Sequence, residues 1–497
     1  MRRPVARHRR FFCVKNEVMS VSLASSPIDD GFAPHVAQLS ALAPEAVLTD
    51  PDLYGSRLTD WRGAMTGTTP FVLAPRDVET AARLIKYCAD HRLPIVPQGG
   101  NTGLVGGGIP QGEILLSTEK MKAIRALDAD NNSAIVEAGV TLADLRAAAA
   151  SIDRQFPMSL GSQGSATIGG LASTNAGGVQ VLRHGMMRDL VFGVEAVLPD
   201  GRIFRGLHGL RKNNVGYDLK HLFLGAEGTL GLITAVSVKL APIPRSTAAA
   251  FIATPTIASA VALLNLARDL SGDAVSAFEL MPDIGLDLVC RHIPGATRPL
   301  PNVKAPWWVL MELSYGRDDG VEDALEAILM EASDRHLTLD AAIARNEAQA
   351  KAFWRIRETL PEAEKKHARA VKHDVSTPIS ALDSFYREAT AAISARWPQA
   401  QIIAFGHVGD GNLHYNVSAR APAEAQSLLK DSKAIQDVVY DCVIRHHGSI
   451  SAEHGIGILK KDALKSRADP VALALMRSIK AAIDPHNLFN PGRLIDV

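Results

Sequence analysis

PQGGNTGLVGGG (residues 97–108) and PMSLGSQGSATIGGLASTNAGG (residues 157–178) govern how the rest of this chain is read. The first follows LPIV, a short strand of buried type, and runs from it straight into glycine. Glycine lets a backbone approach a ligand closely and lets successive N–H groups point at phosphate oxygens. The spacing is neither the GxGxxG of a Rossmann turn nor the GxxxxGK(S/T) of a P-loop. The second stretch has the composition of a linker, yet Ile168, Leu171 and Asn175 interleave with its small residues, which a linker does not require. A long small-residue segment inside a compact domain is either disordered or wrapped on a ligand. Tight turns alone would also account for the glycines. Two such loops so close together favour a dinucleotide cofactor.

Strands and helices alternate around these loops. FVLAP (71–75) reads as a strand ended by proline, and Asp77 is placed to cap a helix whose Val78, Ala81, Ala82, Ile85 and Cys88 recur at helical spacing. A strand at Glu113–Ser117 and a helix capped by Thr141 follow, then a hairpin, Val191–Phe204, turning at Pro199-Asp200-Gly201. GAEGTLGLITAVSVKLAP (225–242) gives a tight turn and a β-prone strand. The pattern changes after Pro242 and Pro244, which marks a domain boundary. Two strand–helix–strand units come next, Ala249–Leu280 and Trp307–Ile343, then helices over Ala348–His367 and Ile379–Trp397.

Composition excludes several classes. A chain of 497 residues is too long for one simple core. With 47% hydrophobic and 21% charged residues it reads as an ordinary globular protein. Lys+Arg and Asp+Glu are equal at 53 each, which argues against a nucleic-acid binder. Cys13, Cys88, Cys290 and Cys442 lie far apart with no CxxC pair, so a reducing compartment is expected and no iron–sulfur cluster of the chain's own. No apolar run reaches about 18 residues, so no transmembrane segment is expected. MRRPVARHRRFF is Arg-rich and acid-free until Glu17. It reads either as a transit segment for the mitochondrial matrix or as residues ahead of a true start at Met19, and the second, cytoplasmic reading is the one expected.

GHVGDGNLHYN (406–416) is the stretch with chemistry in it. A strand, a Gly/Asp turn and a second strand bring His407 and His414 side by side. Two neutral imidazoles on a rigid turn begin a divalent-metal site, although imidazoles that merely cap carbonyls would look the same.

These motifs carry a resemblance. PQGGNTGLVGG, SLGSQGSATIGGLASTNAGG, GYDLKHLFLGAEGTLGLIT (216–234), GHVGDGNLH, SAEHGIG (451–457) and the closing NPG (490–492) resemble, in this order, the FAD-binding D-2-hydroxyacid dehydrogenases of the vanillyl-alcohol-oxidase (PCMH) type. That group includes D-2-hydroxyglutarate and D-lactate dehydrogenases and the glycolate oxidase flavin subunit. The resemblance implies an α+β fold: a two-subdomain FAD-binding domain and an α+β cap with ferredoxin-like βαβ units. The expected division is 1–65 as extension and lead-in, 66–244 as the FAD domain, 245–457 as the cap, and 458–497 as a helical return.

The resemblance also assigns residues. Pro97, Gly99, Gly100, Asn101, Thr102 and Gly103 would face FAD from the first loop. Leu160, Gly161, Ser165, Thr167, Gly170, Thr174, Asn175, Gly177 and Gly178 would do so from the second, with Gly228, Ile233 and Asn490 completing the set. Asn101 stands where covalently tethered relatives carry histidine, so noncovalent FAD is implied. Glu453 joins His407 and His414 as a ligand to a divalent metal, zinc being expected, and His454 is the general base. Arg357, Lys372 and Asn416 would contact substrate, although on residues alone Arg357 reads as a solvated helix face and Lys372 as a surface strand. Pro361 departs from the threonine of animal hydroxyglutarate dehydrogenases and offers no hydroxyl. The implied reaction takes a small-molecule 2-hydroxy acid, D-2-hydroxyglutarate ahead of D-lactate, to the 2-oxo acid. Electrons leave to an external acceptor: an electron-transfer flavoprotein, a quinone or an iron–sulfur subunit. A non-redox flavin transferase of the alkyl-glycerone-phosphate synthase type is the other class carried, and a homodimer is allowed for.

Overall fold

The structure is a computed structural model and describes residues 31–497; the Arg-rich stretch 1–18, with both readings of it, lies outside these residues. Among the described residues no helix is long and apolar enough to cross a membrane.

Two small sheets precede residue 240. The first has the order Val47–Leu48, Val72–Leu73, Ile114–Ser117, Ile95–Gln98, its last three strands parallel. Asp77 caps the helix Val78–Asp90 by accepting the Thr80 N–H at 2.7 Å, and that helix buries Val78, Ala81, Leu84, Ile85 and Cys88. The strand Ile95–Gln98 therefore ends at a sheet edge, where the first glycine loop begins. The C-terminal segment returns beside it: the Ile95 N–H donates to Leu488 O and the Asn490 N–H to Ile95 O, at 2.7 and 2.8 Å.

The second sheet is antiparallel, in the order Ile124–Asp128, Ser133–Glu137, Leu232–Lys239, Val191–Val197, Ile203–Arg205. A helix over Ile168–Thr174 packs on it from within the second glycine stretch, where the sequence reading had no helix. The reason is packing. A Cβ on Gly169 would stand 2.5 Å from the Cβ of Ala138, so only glycine lets this helix come down on the strand end.

The third sheet has seven antiparallel strands. Its first four, in the order Asp340–Ile343, Ser246–Thr254, Trp307–Tyr315, Val275–Pro282, are linked by the helices Ile257–Ser271 and Val321–Asp334 in the βαββαβ manner of ferredoxin-like folds. Successive side chains of a strand point to opposite faces. Ala248, Ala250 and Ile252 accordingly enter one core and Ala249, Phe251 and Ala253 another. Helices cover both faces, which is why these strands read as unbroken apolar runs.

The hairpin Ala400–His407 and Asn412–Ala419 extends this sheet beyond Val275–Pro282. Its register pairs Phe405 with His414, so His407, two residues further on, shares a face with both. Gly411 closes the turn at φ +80°, and a Cβ there would meet Thr377 O at 2.1 Å. Helix Glu347–His367 holds Pro361 in its interior.

Candidate active site

Both glycine stretches line one cavity of about 300 Å³, together with Glu227, Gly228, Ile233 and Asn490. Of the expected flavin contacts, Ser165, Asn175 and Gly178 do not line it, and each is occupied in shaping the loops instead. The Ser165 carbonyl packs so closely on Gly100 that a Cβ at Gly100 would lie 1.7 Å from it. Asn175 closes its helix at φ +49° and accepts the Arg188 N–H at 2.8 Å. Gly178 packs on the Ser159 carbonyl. The remaining expected residues line the wall.

The wall fits a flavin chemically. Gln98 Oε1, Thr167 Oγ1 and Asn490 Oδ1 are buried acceptors with no protein partner, and all three belong to residues of this cavity. The amide nitrogens of Gln98 and Asn490 are committed to carbonyls, of Arg57 and Gly108 and of Gly107 and Glu227 respectively. That leaves their oxygens for a ligand bearing N–H or O–H donors, since native buried polar atoms rarely go unpaired. Asn101 sits at φ +52° with its amide on the carbonyls of Arg57 and Thr59, at 3.2 and 2.8 Å.

Glu453 and His454 belong to the same wall. They lie in an irregular turn, not a strand, so two neighbours can face one site. Two carboxylates hold the turn. Asp374 Oδ2 accepts the N–H groups of Glu453 and His454, each at 2.9 Å. Glu227 accepts those of Ile456 and Gly457 at 2.8 and 2.7 Å. The His454 ring stacks on that of His414 at 6.1 Å between centroids, and its Nδ1 is 3.4 Å from Asp374. Burial pushes the His454 pKa down to about 4 against the pull of Asp374, so the ring is neutral through the physiological range. The near-neutral titration expected of an unperturbed histidine does not hold here.

His407, His414 and Glu453 bring one ligand atom each within 4.8 Å of one another. Asp374, Glu453 and His454 form an overlapping cluster, but both Asp374 oxygens are already taken, Oδ1 by the Asn412 amide and Oδ2 by the turn. The first set is therefore the one with donor capacity to spare. His407 Nδ1 bonds Glu279 at 2.5 Å, which turns its Nε2 toward Glu453 at 3.6 Å. A carboxylate behind a histidine in this way fixes its tautomer and orientation for a metal. Burial raises the Glu453 pKa to about 7 against the pull of His407.

Arg357, Lys372 and Asn416, expected to contact substrate, each meet a buried carboxylate. Arg357 is not on a solvated helix face but buried, its Nε on Glu279 at 2.6 Å and its guanidinium over the Phe405 ring at 5.0 Å. Lys372 and Asn416 share one partner, Glu364 Oε2, at 2.9 and 3.0 Å. Four buried carboxylates thus organise the site, and sequence reasoning missed all four: Glu227, Glu279, Glu364 and Asp374. The readable signal was strongest for Glu279, a lone acid in the apolar strand VSAFELMP. Glu364 stands seven residues after Arg357 on one helix, hence on nearly the same face.

Residues 69–206 match the family described as FAD binding domain, and residues 243–494 match that described as FAD linked oxidases, C-terminal domain. The fold is shared with p-cresol methylhydroxylase, at a TM-score of 0.75 and 18% identity over 94% of this chain and 98% of that one. This chain is an FAD-dependent oxidoreductase. It is 36% identical to a mitochondrial D-2-hydroxyglutarate dehydrogenase of Arabidopsis thaliana, over 91% of this chain and 80% of the relative. To the corresponding protein of Bos taurus it is 37% identical, over 93% and 83%. The chain belongs to the family of FAD-linked D-2-hydroxyacid dehydrogenases.

Proposed function

We propose that this protein oxidises D-2-hydroxyglutarate, ahead of D-lactate, to the 2-oxo acid, on a flavin unit at 66–244 completed by 458–497 and a cap at 245–457. The observation that supports this best is that Glu453 and His454 stand on the wall of the cavity made by the two glycine loops, with His407 and His414 in ligand reach of Glu453. FAD, when bound, supplies the acceptor for the C2 hydride. A divalent ion held by His407, His414 and Glu453, zinc being the expected one, would supply Lewis acidity. His454 receives the 2-hydroxyl proton at its imidazole, with Asp374 beside Nδ1 keeping the ring turned. Arg357 and Lys372, each held by a buried carboxylate, present fixed positive charge rather than free side chains to an anionic substrate. Electrons leave to an external acceptor, an electron-transfer flavoprotein, a quinone or an iron–sulfur subunit. The mitochondrial relatives favour the matrix over the cytoplasm that composition suggested.

Anaerobic mixing with a panel of D- and L-2-hydroxy acids tests the reaction: a D-acid abolishes the oxidised-flavin absorbance and its L-enantiomer does not. If no 2-hydroxy acid reduces the flavin, the dehydrogenase reading fails and the non-redox transferase takes its place. Prolonged chelation lowers turnover and zinc restores it; full activity after verified metal loss removes the ion from the reaction. Asn101 cannot form the covalent tether, so acid precipitation frees all the flavin into the supernatant. Flavin pelleting with the protein would contradict noncovalent binding.

A further inference from the structure

Apart from the site described above, a second set of ligand-type side chains meets between two helices. Glu388 lies on the helix Leu382–Arg396, Cys442 on the helix Ser432–Arg445, and His446 closes the latter. Cys442 and His446 are one turn apart and so share a face. Cys442 is a free, fully buried thiol that meets the Phe385 carbonyl at 3.9 Å, whereas Glu388 is exposed. One ligand atom from each of the three lies within 4.8 Å of the others. The histidine faces two acceptors. Ser384 Oγ donates to the Ala381 carbonyl at 2.9 Å, so it accepts from His446 Nδ1, 3.4 Å away. His446 Nε2 faces Glu388 Oε2 at 2.7 Å. A neutral imidazole carries one N–H, so either a second proton or a metal ion stands between Nε2 and the carboxylate. The thiol beside them favours the metal: it adds nothing to an ion pair, but thiolate, imidazole and carboxylate together are a zinc ligand set.

We propose that Glu388, Cys442 and His446 bind a divalent ion of the zinc class, separate from the one proposed at His407, His414 and Glu453. The thiol gives up its proton to solvent on binding, and thiolate and carboxylate together balance the charge of the ion. Arg445 holds Glu388 Oε1 through Nε and Nη2, at 2.9 and 2.7 Å, which leaves Oε2 for the ion and fixes the carboxylate from behind. With the thiol at the floor and the carboxylate at the rim, the fourth position is left to water. The ion staples the two helices together just ahead of Ser449, whose N–H donates to the Ser376 carbonyl at 2.8 Å as the chain runs on toward Glu453.

Cobalt tests the assignment on the FAD-loaded protein, because thiolate on cobalt gives an intense near-ultraviolet charge-transfer band and imidazole or carboxylate does not. The difference spectrum between cobalt- and zinc-loaded samples cancels the flavin. The wild type shows the band and holds two metal ions per chain by elemental analysis. Cys442→Ser loses the band and one ion. His407→Ala loses an ion and keeps the band, so failure of the ion proposed at the active site reads differently from failure of this one. Glu388→Gln, at the exposed rim, weakens cobalt at the banded site by more than about tenfold, and decides the matter should Cys442→Ser fail to fold. No band in the wild type, a band that survives Cys442→Ser, or unchanged cobalt affinity in Glu388→Gln would overturn the proposal, and the cluster would then be an ion pair of imidazolium with carboxylate.

Discussion

His454→Gln keeps its flavin and its metal and reduces that flavin about 10²- to 10⁴-fold more slowly, the range set by removing a positioned general base. The turn that carries the residue does not depend on the imidazole: Asp374 and Glu227 hold it through backbone N–H groups of residues 453, 454, 456 and 457. Glu453 therefore stays where it is in the variant. Glutamine fills similar volume and retains polarity but cannot take a proton at neutral pH. The defect shows in anaerobic stopped-flow reduction, with flavin and metal content measured on the same sample. Wild-type reduction by this variant would remove His454 from the reaction.

Glu279→Gln unsettles the protein and its metal together. Glu279 is fully buried between His407 Nδ1 and Arg357 Nε. Burial opposes its charge, yet His407 and Arg357 hold its pKa down to about 2. Neutralising it leaves the Arg357 cation buried without its partner, a loss of about 3–5 kcal/mol that appears as a large fall in Tm. Metal affinity falls about 10- to 100-fold, because His407 loses the carboxylate that sets its tautomer. The sign of the pH dependence follows. A carboxylate with a depressed folded-state pKa adds stability above its ordinary value near 4.5, and that share is lost as pH falls toward 2. In metal-stripped protein this acid limb is present in the wild type and flattened in Glu279→Gln. Identical acid limbs in the two proteins would show that the pair adds nothing to stability.

The parts of the molecule legible in the sequence are those written as local pattern. The His407–His414 hairpin could be read because turn residues and strand alternation fix its register within eleven residues. The two βαβ units could be read because their helices and strands differ in period. Buried carboxylates escape this kind of reading. Asp374 matters through residues some eighty positions away, and Glu279 through His407, 128 positions on. No spacing announces such pairs. Glycine gives the opposite difficulty, since one residue type serves two purposes. Gly99 and Gly170 line the cavity, Gly169 lines it while also letting its helix pack on Ala138, and Gly178 only lets chain pack on chain. Ser165 and Asn175 sit among such glycines without lining the cavity.

The turn bearing His454 is held from two directions. Asp374, next to a strand of the seven-stranded sheet, grips the Glu453 and His454 peptides. Glu227, from the flavin side, grips the chain two residues later, and its own carbonyl is pinned by the C-terminal Asn490. His454 therefore lies on the seam between the two halves of the protein and belongs to neither. A shift of one half against the other has to break one of these grips or carry the imidazole with it. If His454 is the base proposed above, opening the seam and disarming it are a single event, and a closed seam is what cocks the enzyme.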